Sequence, residues 1–320
     1  MVLGSVFIDL HIPISRWREE WQTQRRVKGV WDPALQRETL ILEDGRSLSY
    51  FLDGPKDPTL PYVFALHAMF LTGNSFLMTE PPTDCILVCI NRPGYEGSDC
   101  PVRNFTRTYD HRSFAHDMQQ LADHLQVKKF HIMGHSSGGP LALGCAAHLP
   151  GRVLSVGLLS SDPEYAHATA PNKKWFNACC IGKALPWILQ YCLWCLPLAR
   201  NNFRGVRNDY RMDTSPYDFF IERDIHHPVL IYVGENDSVL PVDISRHVHS
   251  RLQNCHLEIV PKIGHLGLLR DAVLRDFLEK LVALPDAEMG MAIDLIENGE
   301  RQDSFEGTVS AVHKRNVGID

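Results

Sequence analysis

The sequence predicts an α/β protein: a mostly parallel sheet with helices on both faces and an inserted helical cap. Three observations carry this. Short apolar runs alternate with helical patterns. A hairpin signal precedes them. One long interval near the middle breaks the rhythm.

Residues 1–35 read as an N-terminal extension. ETLILEDGRSLSYFLDG (38–54) reads as a hairpin turning at Asp44-Gly45. The apolar runs are YVFALH (62–67), CILVCIN (85–91), FHIMGH (130–135), VLSVGLLS (153–160), VLIYVGE (229–235) and CHLEIVP (255–261). Most are apolar without alternation, as strands buried on both faces are. Helical patterns cover 112–127, 137–149, 243–253 and 268–284. The interval from the run at 153–160 to that at 229–235 is far longer than a simple crossover. The domain reading follows: a core of 36–161 and 228–284, a helical cap at 162–227, and an acidic tail at 285–320. One short helix is expected in that tail, around Met291–Glu297.

Of 320 residues, 44% are apolar and 22% charged, which suits one large globular domain carrying an insertion. A net charge of −6 leaves no electrostatic footprint for nucleic acid. The pairs Arg25-Arg26 and Lys128-Lys129 read as solvated faces. The nine cysteines are an odd number, and Cys85, Cys89, Cys145 and Cys192 lie in apolar runs. That pattern fits packed thiols in a reducing, cytoplasmic setting. Cys192-Leu-Trp-Cys195 has no second pair for zinc and reads as packing. The first twenty residues have no basic n-region, and Val2 does not fit myristoylation, so neither a leader nor a lipid is expected. No uncharged apolar run reaches 18 residues, so no spanning helix is expected. His226-His227, His247 and His249 lack ligand spacing. With no phosphate loop or dinucleotide fingerprint either, neither metal nor cofactor is implied.

HIMGHSSGGP (131–140) carries the chemistry. Gly134-His135-Ser136-Ser137-Gly138 fits G-x-S-x-G between a strand and a helix. A sharp turn there exposes the Ser136 hydroxyl, and the helix N-terminus behind it favours developing negative charge. Ser137 does not fit, because its motif would need glycine at 135. About 0.1 chance matches are expected in a chain this long, so the strand–motif–helix setting gives the motif its weight.

A serine needs a base, and the base needs an orienter. VLIYVGENDSVLP places Asp237 after one strand. HLEIVPKIGHLG places His265 after the next. Glu235, on the same loop as Asp237, and Asp162, after the preceding strand, are rival acids; Asp162 is the fallback. The chain order is Ser136, Asp237, His265, each at the end of a predicted strand.

From about residue 38 to 284 the sequence resembles the α/β-hydrolase superfamily with a cap inserted after the sixth strand. The elbow is GHSSGG (134–139). HAMFLTGN (67–74) looks like the family's oxyanion loop, NRPGYEGSD (91–99) like its D-x-P-G-x-G-x-S segment, and GENDSVLP (234–241) with IGHLG (263–267) like its acid and histidine loops. The resemblance implies that the Met69 and Ser137 amides form the oxyanion hole. Two residues depart from the pattern. Ala68 replaces a glycine, and Asn91 replaces an aspartate. A Cβ at 68 narrows the dihedrals beside the hole, where losing a donor costs about 2.7–4 kcal/mol of transition-state stabilisation. Asn91 and His67 read as structural.

The expected reaction is acyl transfer on a small-molecule ester, lactone or lipid-like substrate. The cap segment 184–198 is almost wholly apolar and includes Trp187, Tyr191 and Trp194. It reads either as packing or as the wall of an apolar pocket, with peripheral membrane contact open. Phe70 and Leu266, beside the oxyanion loop and the histidine, join those aromatics as candidate substrate contacts. The same triad also serves carbon–carbon hydrolysis, aminopeptidase and perhydrolase chemistry, and a receptor or scaffold can retain it. By resemblance, dehalogenase and epoxide hydrolase chemistry would need aspartate at 136.

Overall fold

The computed structural model describes residues 37–101, 109–171 and 203–285. The N-terminal extension, Cys192 and Cys195, the apolar cap segment and the expected helix at 291–297 lie outside them. The strands are β1 (Glu38–Ile41), β2 (Ser47–Asp53), β3 (Tyr62–Leu66), β4 (Ile86–Ile90), β5 (Phe130–His135), β6 (Val153–Leu159), β7 (Val229–Gly234) and β8 (Cys255–Val260). They form one sheet in the order β1-β2-β4-β3-β5-β6-β7-β8. β1 and β2 are a hairpin, and β2 pairs antiparallel with β4. Every other pair is parallel. β4, β5 and β7 are buried along their whole length, which is why their sequences are apolar without alternation.

Helices α1 (His111–His124), α2 (Gly138–His148), α3 (Phe203–Thr214), α4 (Ile221–Asp224), α5 (Val242–Ser250) and α6 (Asp271–Val282) complete the described elements. Asp110 caps α1 by accepting from the Ser113 amide at 2.9 Å. One core joins Phe114, Met118 and Leu121 of α1 to α2 and to Val248 of α5. The opposite core joins Leu274, Phe277 and Leu281 of α6 to Val63, Leu87 and Tyr232 of the sheet. The sheet is therefore covered on both faces. Burial pushes the Cys85 thiol up to about 12 and Cys145 well above its ordinary value, so both act as packing groups.

One boundary differs from the sequence pattern. The apolar period suggested a helix from 268, but His265–Leu269 is a 3₁₀ turn. Arg270 is extended (φ −69°, ψ 138°), and α6 begins at Asp271. The apolar period runs on across this break because Leu268 and Leu269 are buried beside α6.

β3 lies between β4 and β5, so the connections after β3 and β5 leave on opposite sides. In open α/β sheets ligands bind where the strand order reverses, outside the strands' C-terminal ends. The oxyanion-like loop follows β3 and the elbow follows β5.

Candidate active site

Ser136 has φ +53°, the left-handed region that a non-glycine residue enters only when its surroundings hold it there. Those surroundings are backbone. The Ser136 amide donates to Leu159 O at 3.0 Å, and its carbonyl accepts from the Gly139 and Asp162 amides at 2.9 and 3.2 Å. A Cβ on Gly134 would stand 2.2 Å from Gly138 O, and one on Gly138 would stand 2.2 Å from Leu66 O. Both obstacles are main chain and cannot move aside, so the two glycines of the motif are steric requirements.

His265 opens its 3₁₀ turn with Nδ1 2.7 Å from Asp237 Oδ2. A carboxylate only accepts, so Nδ1 carries the proton and Nε2 keeps a lone pair. Asp237 Oδ1 accepts the Val239 and Leu240 amides at 2.9 and 2.8 Å, which fixes the carboxylate. Burial pushes Asp237 up, but His265 and the Leu240 amide outweigh it and hold the carboxyl below its ordinary range. The rival acids are engaged elsewhere. Glu235 Oε2 accepts the Lys262 amide at 2.9 Å. Asp162 Oδ1 accepts the Tyr165 hydroxyl at 2.5 Å.

The His135 ring lies 4.6 Å from that of His265, and its Nε2 donates to His265 O at 3.2 Å. Burial, with the neighbouring His265, keeps His135 far below its ordinary pKa and therefore neutral. The Ser136 hydroxyl makes no hydrogen bond among the described residues.

Of the two expected oxyanion donors, the Ser137 amide sits at the N-terminus of α2. The Met69 amide donates to Ser137 Oγ at 2.8 Å. Ala68 is buried, and its φ is not positive. The strain falls instead on Phe70, at φ +68° and 52% exposed, so a Cβ at 68 is accommodated. His67 is structural. Nδ1 donates to Ala68 O at 2.8 Å and Nε2 accepts the Arg92 amide at 3.1 Å. Asn91 is structural too: Oδ1 accepts the Gly73 amide at 2.8 Å and Nδ2 donates to Ser49 Oγ at 2.9 Å. Leu266 is buried beside His265. Trp187, Tyr191 and Trp194 lie outside the described residues.

Sequence reasoning passed over Arg92. It is 1% exposed, with Nη1 3.2 Å from Ser137 O and Nη2 3.1 Å from Ser137 Oγ. Nη2 also lies 2.8 Å from Asp209 Oδ2 on α3. Its place just past the apolar CILVCI run was the one hint, and that alone does not tell a buried guanidinium from a surface charge. Burial pushes Asp162 and Asp209 up and Asp213 well above the carboxylate range, with Arg92 opposing it at all three.

A family model described as alpha/beta hydrolase fold matches residues 81–178. A protein of Caulobacter sp. (strain K31), provisionally named carbamate hydrolase RutD, is 27% identical over 194 residues, 53% of this chain and 71% of that one. The crystal structure of a hydrolase from Pseudomonas aeruginosa PA01 is 17% identical, with TM-score 0.57, over 78% of this chain and 99% of that one. An esterase (EaEST) from Exiguobacterium antarcticum is 18% identical, with TM-score 0.57, over 78% and 98%. At these identities the two structures speak for the fold.

Proposed function

We propose that this chain, a member of the α/β-hydrolase superfamily, is a serine hydrolase that cleaves a carboxylic ester or lactone of a hydrophobic substrate. One observation carries the reading. The Asp237–His265 pair, at 2.7 Å, stands at the same end of the sheet as the left-handed Ser136 elbow.

His265 Nε2 takes the Ser136 proton as Oγ attacks the substrate carbonyl. The Ser137 and Met69 amides receive the oxyanion, the Met69 N–H shared between Ser137 Oγ and the new charge. His265 then protonates the leaving alcohol. Water repeats the sequence on the acyl-enzyme and releases the acid. Asp237 fixes the imidazole tautomer and stabilises the imidazolium. The apolar cap sequence supports a greasy acyl group, and the exposed Phe70 offers it a further contact.

The test is labelling by a fluorophosphonate probe, alongside hydrolysis of nitrophenyl esters of increasing chain length. Wild type should label and Ser136→Ala should not, with an optimum at medium or long chains. Full ester hydrolysis by Ser136→Ala, or no labelling of folded wild type, would overturn the proposal.

A further inference from the structure

Met69 and Ser137 belong to loops that leave neighbouring strands, and the β3–β5 ladder ends at Leu66 and Gly134. Beyond that point the connections diverge, so no sheet hydrogen bond sets the distance between the two amides. A misplacement of 1 Å at a reacting centre costs about 100-fold in rate, so something else must set it.

Arg92 stands at the end of β4, next to both loops. Its backbone amide holds His67 Nε2 at 3.1 Å, and His67 Nδ1 holds Ala68 O at 2.8 Å, which braces the Met69 side. Its guanidinium grips Ser137 twice, at O (3.2 Å) and Oγ (3.1 Å). Ser137 Oγ in turn accepts the Met69 amide at 2.8 Å. One residue therefore touches both walls.

The same guanidinium is tied to the cap region. Asp209 Oδ2 lies 2.8 Å from Nη2 and also accepts the Tyr95 hydroxyl. The helix bearing Asp209 is seated on the loop after Arg92, with the Gly205 amide donating to Gly94 O at 3.2 Å. A Cβ on Gly205 would stand 2.3 Å from the Tyr95 ring. A buried ion pair contributes little net stability over an apolar pair of the same shape, so stability alone does not explain a guanidinium here.

We infer that Arg92 is a positioning residue that sets the spacing of the Met69 and Ser137 amides, and that Asp209 makes this spacing depend on the seating of α3. The inference rests on the reading of those two amides as the oxyanion hole. Lysine at 92 would keep the charge beside Asp209 but cannot span two atoms of Ser137 and a carboxylate together. A role limited to balancing the Asp209 charge is therefore rescued by lysine, and a positioning role is not.

The experiment compares wild type, Ser136→Ala, Arg92→Lys and the double variant Arg92→Met/Asp209→Leu. The double variant leaves no lone buried charge and guards against loss of the fold in Arg92→Lys. Second-order fluorophosphonate labelling rates and nitrophenyl ester kcat and KM are measured on proteins whose melting shows them folded. Both Arg92 variants should label about 10- to 100-fold more slowly than wild type, with kcat down by a similar factor and KM within about threefold. Labelling of Arg92→Lys or the double variant within about threefold of wild type would overturn the inference while leaving the serine reading intact. Absence of labelling in folded wild type would instead overturn that reading, and the inference with it.

Discussion

At the scale of single residues, the proposal of Asp237 over its rival acids rests on hydrogen bonds. Asp237 gives one oxygen to His265 and the other to two amides. Asp162 is turned to Tyr165, and Glu235 to the Lys262 amide. Asp237→Asn should therefore lower kcat by about 10⁴, because an amide no longer selects the Nδ1–H tautomer. Asp162→Asn should cost no more than about tenfold, since among the described residues its hydrogen bond to Ser136 comes from the main-chain amide and its carboxyl is given to Tyr165. Steady-state kinetics on a nitrophenyl ester separates the two, and a larger loss at 162 would reassign the acid. The placement of Ser136, Asp237 and His265, the proposed site, was legible in the sequence because each follows an apolar run, and an α/β sheet binds its ligands beyond its strand ends. Arg92 and the Met69–Ser137 bond were not. A lone arginine beside Pro-Gly looks like a surface charge until burial is known, and no sequence pattern reveals which hydroxyl an amide will find.

At the scale of elements, periodicity marked the strands because the central ones are buried on both faces. It marked α1, α5 and α6 because each buries one face and leaves the other polar, whereas α2 is apolar and buried along nearly its whole length. It failed at Leu266–Leu269, where apolar residues continue through a change from 3₁₀ turn to α-helix and only the extended Arg270 separates the two. The seating of α3 was also hidden, for Gly205 gives no sign in sequence that an aromatic ring lies against its Cα. Gly205→Ala tests that contact. Its Cβ meets the Tyr95 ring at 2.3 Å, and Tyr95 is fully buried, so neither side can yield freely. Overpacking of this kind costs about 1–3 kcal/mol. Chemical denaturation should show such a loss. An unchanged midpoint would mean that α3 sits more loosely than its distances imply.

At the scale of the molecule, buried titratable groups set how stability varies with pH. His67 and His135 are pushed far down by burial, with Arg92 acting on the first and His265 on the second. Both must gain a proton on unfolding in acid, so their contribution is lost as pH falls below their unfolded value of about 6.5. Asp237, held low, acts in the same direction further into acid: its stabilisation is present above its unfolded value and lost as pH drops through the folded one. Asp162, Asp209 and Asp213 work the other way. Burial raises all three, so the folded state holds protons that the unfolded state releases, and stability falls as pH rises above about 4. Among the described residues the charges acting on Asp213 are Asp162, Asp209 and the shared Arg92, while Asp209 has Arg92 and Tyr95 as direct partners. Asp213→Asn imitates the protonated carboxyl at every pH. It should melt with wild type below pH 4 and above wild type at pH 7–8, by about 2–4 °C for each kcal/mol recovered. Calorimetric scans of both proteins across that range test this, and coincident melting at pH 8 would mean that a compensating charge reaches Asp213 in the folded protein.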